Sequence, residues 1–281
     1  SLCVPGAILN VRGLVQTYND KLQLKIDKVS VADEQSYEPE AFVAASHRET
    51  SAMQDELRKL IDTVQNGFLR TLLSQIFLNS NTGKTYRLSP AAKGIHHAYM
   101  GGLLEHSLSM AHVSVLLADH YEGIDRDLLL AGALLHDIGK TVELENATGV
   151  IDYTDTGRLK GHLVIGCEMI GREAERIKDF PEELLTQLQH LVLSHHGRQE
   201  FGSPIVPMTA EALLLSFIDD MDAKMNLVEQ LRRKVKSGGM QWSEYQRSLE
   251  RYLLLKPLSE QHGTDLQMNE ESVSGKQRTL F

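Results

Sequence analysis

A mainly α fold is predicted: a helical bundle preceded by a partial β segment and linking helices. Three observations predict it. Strict apolar–polar alternation is confined to residues 8–31, and beyond them apolar residues recur at three- and four-residue spacing. At 281 residues the chain suits one large domain or two small ones. Apolar residues make up 42% and charged residues 24%, enough for an ordinary packed core.

The β segment comes first. Ile8, Val11, Gly13 and Val15 form a short β-prone run, and Asn19-Asp20 marks a turn. Leu22, Leu24 and Ile26 then alternate with Gln23, Lys25 and Asp27, which predicts a half-buried hairpin. Two strands alone are only marginally stable, so the opening at Ser1 reads as a cut within a small β domain. Beyond Pro39 the period becomes helical. Leu57, Leu60, Ile61 and Val64 define one helix; Leu69, Leu72, Leu73, Ile76 and Phe77 define a second after a break at Asn66-Gly67. A polar stretch runs from Asn79 to Pro90. Helices are then expected at about 97–120, 127–140, 161–178, 182–196 and 209–236, with Gly197 as a C-terminal cap and Thr209 as an N-cap. A last helix is expected at 242–255. The division that follows is 1–36 for the β segment, 37–90 for linking helices, 91–256 for the main helical domain and 257–281 for a polar tail.

Several classes are excluded or made less attractive. No run of 18 apolar residues exists, so no membrane partner is expected. Two cysteines, Cys3 and Cys167, give no disulfide framework and fit a reducing, cytoplasmic setting. The formal net charge of −9 argues against a broad nucleic-acid grip, so any such contact must be local.

The twelve histidines carry more information. His106 shares a helix face with Leu103, Met110 and Val113. His136-Asp137 ends the nearly all-apolar run 128–135, where an unpartnered charge would be costly. His162 follows Gly161, and His195-His196 end another apolar helix. Asp219 and Asp222 lie three apart, on the face of Leu215 and Ile218. A single buried histidine is more often structural than ligating, because one hydrogen-bond partner satisfies it. Five helices each aiming a His or Asp into apolar surroundings would be an expensive coincidence, and a metal site accounts for it. Mixed imidazole and carboxylate ligands suit divalent ions; manganese is favoured, and Mg, Fe, Co and Ni also fit. Two ions held by a bridging Asp137 would suit phosphoryl chemistry, with Lys140 placing positive charge on the phosphate or protonating the leaving group.

The order His106, His136-Asp137, Asp219, with 134–140 reading Leu-Leu-His-Asp-Ile-Gly-Lys, resembles the HD superfamily of metal-dependent phosphohydrolases. The resemblance implies metal ligation by His106, His136, Asp137 and Asp219, with His162, His195 and His196 filling a second site. Residues 90–106, Ser194-His195-His196-Gly197 and 218–225 resemble the bacterial 3′–5′ exoribonucleases of the YhaM type, which carry an OB-type domain before the HD domain. The likeness covers nearly all of residues 8–255 and makes residues 1–36 the C-terminal part of that OB-like domain, with too few strands to close a five-stranded barrel. It implies hydrolysis of single-stranded RNA, and DNA as a further substrate, from the 3′ end by a metal-bound hydroxide.

Substrate contacts are expected from His96, His97, Lys93, Arg158, Lys160 and Asp222, with Lys84, Arg87 and Lys140 as further basic positions. A homo-oligomer is compatible with the linking helices. The last residues, Gln277 to Phe281, resemble the Gln-x-x-Leu-Phe peptide that docks on the bacterial sliding clamp, with Gln277, Leu280 and Phe281 as its anchors. Two other functions compete: an HD-type nucleotidase acting on small nucleotides, and a non-catalytic, metal-stabilised nucleic-acid-binding protein. A cyclic-dinucleotide phosphodiesterase is disfavoured, because residues 197–201 lack the Gly-Tyr-Pro element of those enzymes.

Overall fold

The computed structural model describes residues 4, 6–19, 21–37, 44–94, 97–147, 150–235 and 239–257. The chain forms two compact units, residues 1–227 and 228–281. Among the described residues no helix is long and apolar enough to cross a membrane.

The first unit opens with the expected hairpin. β1 (Leu9–Tyr18) pairs antiparallel with β2 (Lys21–Val31), and the register shifts between Arg12 and Gly13. The burial expectation is corrected. Val15, Leu22, Leu24 and Ile26 share one face, yet each is at least half exposed, and Leu22 is 79% exposed. Alternation created an apolar face, but among the described residues no other strand joins the two-stranded sheet.

Helices then build the core. α1 (Thr50–Asp62) and α2 (Gly67–Leu73) lie where the spacing placed them. Asn66 caps α2 by accepting from the backbone N–H groups of Phe68 and Leu69. A π turn continues α2 over Ser74–Leu78. The polar stretch beyond it holds a helix that composition hid: α3 (Asn81–Leu88) is started by the Ser80 hydroxyl, which accepts from Gly83 N. One buried side chain anchors α3, since Tyr86 donates its hydroxyl to the Leu134 carbonyl of the central helix.

That central helix is α5 (Arg126–Leu135), capped by Asp125, with every residue from Leu128 to Leu135 buried. α4 (Gly102–His120) packs against it on one side, and α8 (Glu182–Ser194) on another. A four-residue turn of helix, α6 (Lys140–Glu143), follows the turn at residues 136–139. A small hairpin comes next, β3 (Leu144–Ala147) with β4 (Val150–Tyr153), which the sequence reading did not anticipate. α7 (Asp155–Ala174) starts earlier than expected and breaks at Gly161, whose φ of 71° and ψ of 155° are not helical. α9 (Ala210–Arg233) is capped by the Thr209 hydroxyl as expected, and Gly197 adopts the positive φ of a C-terminal cap.

In the second unit the helix expected at 242–255 is absent. β5 (Gln241–Trp242) pairs with β6 (Leu254–Leu255) instead, and Gln246 bridges to Arg251. Glu250 at φ 53° turns the chain there, which a helix would not permit. His96 and the tail from residue 258, including Gln277, Leu280 and Phe281, lie outside the described residues.

Candidate metal centre

The site forms where α4, the end of α5, α7, the end of α8 and α9 meet. Asp137 stands at its middle and is almost fully buried. Its Oδ2 faces His136 Nε2 at 3.2 Å, His106 Nε2 at 3.9 Å and Lys140 Nζ at 2.6 Å. Its Oδ1 faces the other way, to His162 Nε2 at 3.4 Å and His195 Nε2 at 3.6 Å. One carboxylate thus looks into two clusters. The first is His106, His136, Asp137 and Asp219, with Asp219 Oδ1 3.2 Å from His106 Nε2. The second is His162, His195 and His196, whose ligand atoms lie within 4.8 Å of one another.

Four imidazoles are fixed from behind through Nδ1. His106 donates to Asp222 Oδ2 at 2.7 Å and His162 to Glu143 Oε1 at 3.1 Å. His136 donates to the Ala133 carbonyl at 2.9 Å and His195 to the Val192 carbonyl at 2.8 Å. Each anchor places the proton on Nδ1 and leaves Nε2 as a lone pair aimed inward. Each cluster therefore has one carboxylate-backed and one carbonyl-backed histidine.

This geometry fits a metal. His106 Nε2 and His136 Nε2 lie 3.2 Å apart with both Nδ1 atoms already committed, so a proton or a cation must sit between two facing lone pairs. Asp137 Oδ1, His162 Nε2 and His196 Nδ1 are buried atoms without a hydrogen-bond partner. Buried polar atoms are rarely left so unless something else binds them.

The electrostatics are divided in the same way. Burial opposes protonation of His106, but the hydrogen bonds and charges of Asp219 and Asp222 outweigh it and raise its pKa to about 9. Burial, and then its electrostatic interaction with His136, hold His195 well below the usual imidazole range. Burial and His162 lower His196 likewise. Burial works against ionising Asp137, yet Lys140 and His136 keep its carboxyl well below the ordinary range. Lys140 is raised, burial being outweighed by Asp137. The pair is held as carboxylate and ammonium.

Other expected residues fall around this centre. Asp222, expected at the substrate, has one oxygen on His106 and the other on the Ser109 hydroxyl, so it braces a candidate ligand. His97 is buried, with its backbone N–H on Asn226 Oδ1 and its ring against the Asn226 amide. Lys93 and Arg158 converge on Asp152 Oδ1, at 2.8 and 2.9 Å, and both lie over the Tyr153 ring. Lys160 pairs instead with Glu168. Lys84 and Arg87 lie on α3. Sequence reasoning passed over Glu143, Ser109, Asn226 and Tyr153. For Glu143 the signal was faint: an acidic residue between Val142 and Leu144, three positions past Lys140.

The HD-domain family model matches residues 103–224, the span from α4 into α9 that holds every ligand candidate above. Fold, site and match together define a hydrolase of the HD-domain class, which depends on divalent metal. The chain is 36% identical over 259 residues to a protein of Geobacillus sp. (strain WCH70) named 3′-5′ exoribonuclease YhaM, covering 92% of this chain and 78% of the relative. A protein of the same name from Bacillus subtilis (strain 168) is 35% identical over 90% of this chain and 79% of its own. A third, from Bacillus licheniformis, is 36% identical over 83% of this chain and 74% of its own. The chain belongs to this YhaM-type exoribonuclease family. No solved structure matches it significantly.

Proposed function

We propose that the chain is a 3′–5′ exoribonuclease that hydrolyses single-stranded RNA with two divalent ions, manganese being the favoured metal. The observation that carries the reading is Asp137, whose two oxygens face two separate histidine clusters. The relatives' name supplies the substrate and the direction. When bound, such ions supply a water nucleophile at neutral pH and neutralise charge on the phosphoryl group.

The chain's own residues do the rest. Asp137 stays ionised and serves as a ligand to both clusters. Lys140, held charged against it, sits where a phosphate oxygen would gain from positive charge; its raised pKa suits that role better than proton donation. Lys93 and Arg158 would exchange Asp152 for backbone phosphates, and the Tyr153 ring beside them offers a face on which a base can stack. Such a local basic patch is compatible with a net charge of −9.

The test is a manganese-supplemented assay on 5′-labelled single-stranded RNA. A ladder shrinking from the 3′ end is expected, and none with His136→Ala/Asp137→Ala. Lys140→Met should keep its metal and lose roughly 10²-fold in kcat. Intact RNA with metal-dependent phosphate release from nucleotides would replace this reading with the nucleotidase one.

A further inference from the structure

We propose that Glu143 is the positioning residue of the second histidine cluster: it fixes His162 with Nε2 forward and holds α7 at the break that delivers it. The proposal rests on the two-metal reading above.

Three observations carry it. First, α7 stops being helical at Gly161 and resumes at His162, so the ligand sits at the start of a new helical stretch. Such a start exposes N–H groups that need an acceptor. Glu143 Oε1 supplies one, accepting from His162 N at 3.0 Å. Second, the same oxygen accepts from His162 Nδ1 at 3.1 Å, which ties the ring to the backbone that carries it. His162 therefore cannot turn about its side-chain bonds without breaking a bond to a charged acceptor. Third, Glu143 is itself locked. It is 7% exposed, its carbonyl accepts from Thr154 N at 2.9 Å, and Gly157 lies so close to that carbonyl that no Cβ would fit. α6 and α7 are clasped at the residue that aims the ligand.

Asp222 does the corresponding work for His106 at the other cluster, from a different helix. The two clusters thus have separate carboxylate supports, and Asp137 faces both. Loss of Glu143 should weaken one ion and spare the other. A residue needed only for stability would not discriminate between them.

The experiment counts manganese on the full chain by calorimetry and elemental analysis, for wild type, Glu143→Gln, Glu143→Ala and His195→Ala. Wild type should take two ions. Glu143→Gln keeps an acceptor oxygen but not the charge, and its weaker ion should bind roughly 10–100-fold less tightly. Glu143→Ala should retain a single ion, with the affinity of the one retained by His195→Ala. In the metal-free chain, nitrogen NMR should show His162 as the Nδ1–H tautomer in wild type and Glu143→Gln, and as a mixture in Glu143→Ala. Two ions of unchanged affinity in both Glu143 variants would overturn the proposal, as would equal weakening of both ions. If the alanine variant does not fold, Glu143→Gln decides by the same criteria. A wild type that takes one ion would overturn the two-metal reading and this proposal with it.

Discussion

His106 keeps a proton that burial should have removed. Its hydrogen-bond partners explain why: Asp219 and Asp222 outweigh burial at His106, whereas at His195 burial prevails, reinforced by His136, and the ring is driven to the neutral form. With a pKa of about 9 in the folded, metal-free chain, protonated His106 contributes stability that is fully present below the ordinary imidazole range. That contribution fades as pH rises through about 9. Metal must displace the same proton. Affinity at this cluster should therefore rise with pH up to about 9 and then level off. Near neutral pH, calorimetry in buffers of different ionisation heat should find about one proton released on filling it. Release of none would mean that His106 is already neutral.

Helices set the precision of the site at their points of closest approach. Gly139 lies in the turn after His136-Asp137, and a Cβ there would strike the His162 carbonyl and press on Gly166 N. Glycine lets α7 come that near, which brings His162 within reach of Asp137 Oδ1. Gly139→Ala should cost about 1–3 kcal/mol of stability by overpacking, read as a lower melting temperature. It should also weaken metal at the His162 cluster first. Gly171, in the same helix, is the control: its Cβ would meet only Gln189 Nε2 at 3.5 Å. Gly171→Ala should be neutral or stabilising by up to about 1 kcal/mol. If both substitutions behaved alike, close approach at Gly139 would not be what limits the site.

On the scale of the molecule, the first unit concentrates its cost in one place. Among the described residues, His106, His136, Asp137 and His195 are buried together inside a mostly apolar core. Such a group is expensive without a cation, so bound metal should stabilise the whole unit. Free manganese at about 100 times its dissociation constant contributes about 2.7 kcal/mol per site. Chelation should then lower the melting temperature by about 5–10 °C per site. His136→Ala/Asp137→Ala should show no such shift. The hairpin β1–β2 sets the opposite condition, with a continuous apolar face exposed rather than a polar cluster buried.

The amino-acid order by itself determined the kind of chemistry. An apolar run ending in His136-Asp137 requires a partner for the charge wherever the helix packs, and the histidines and Asp219 at inward positions supply one. Periodicity reads such things because the side chains on one helix face are set by local geometry. The tertiary structure decided how the ligands divide. Asp222 reaches His106 across 116 residues and Glu143 reaches His162 across 19, and no helical period encodes either pairing. Composition concealed α3, because one cap at Ser80 and one buried Tyr86 hold it while its other residues are mostly polar. Alternation promised a half-buried hairpin, but burial depends on what packs against the face. That is a long-range matter, and only the assembled chain settles it.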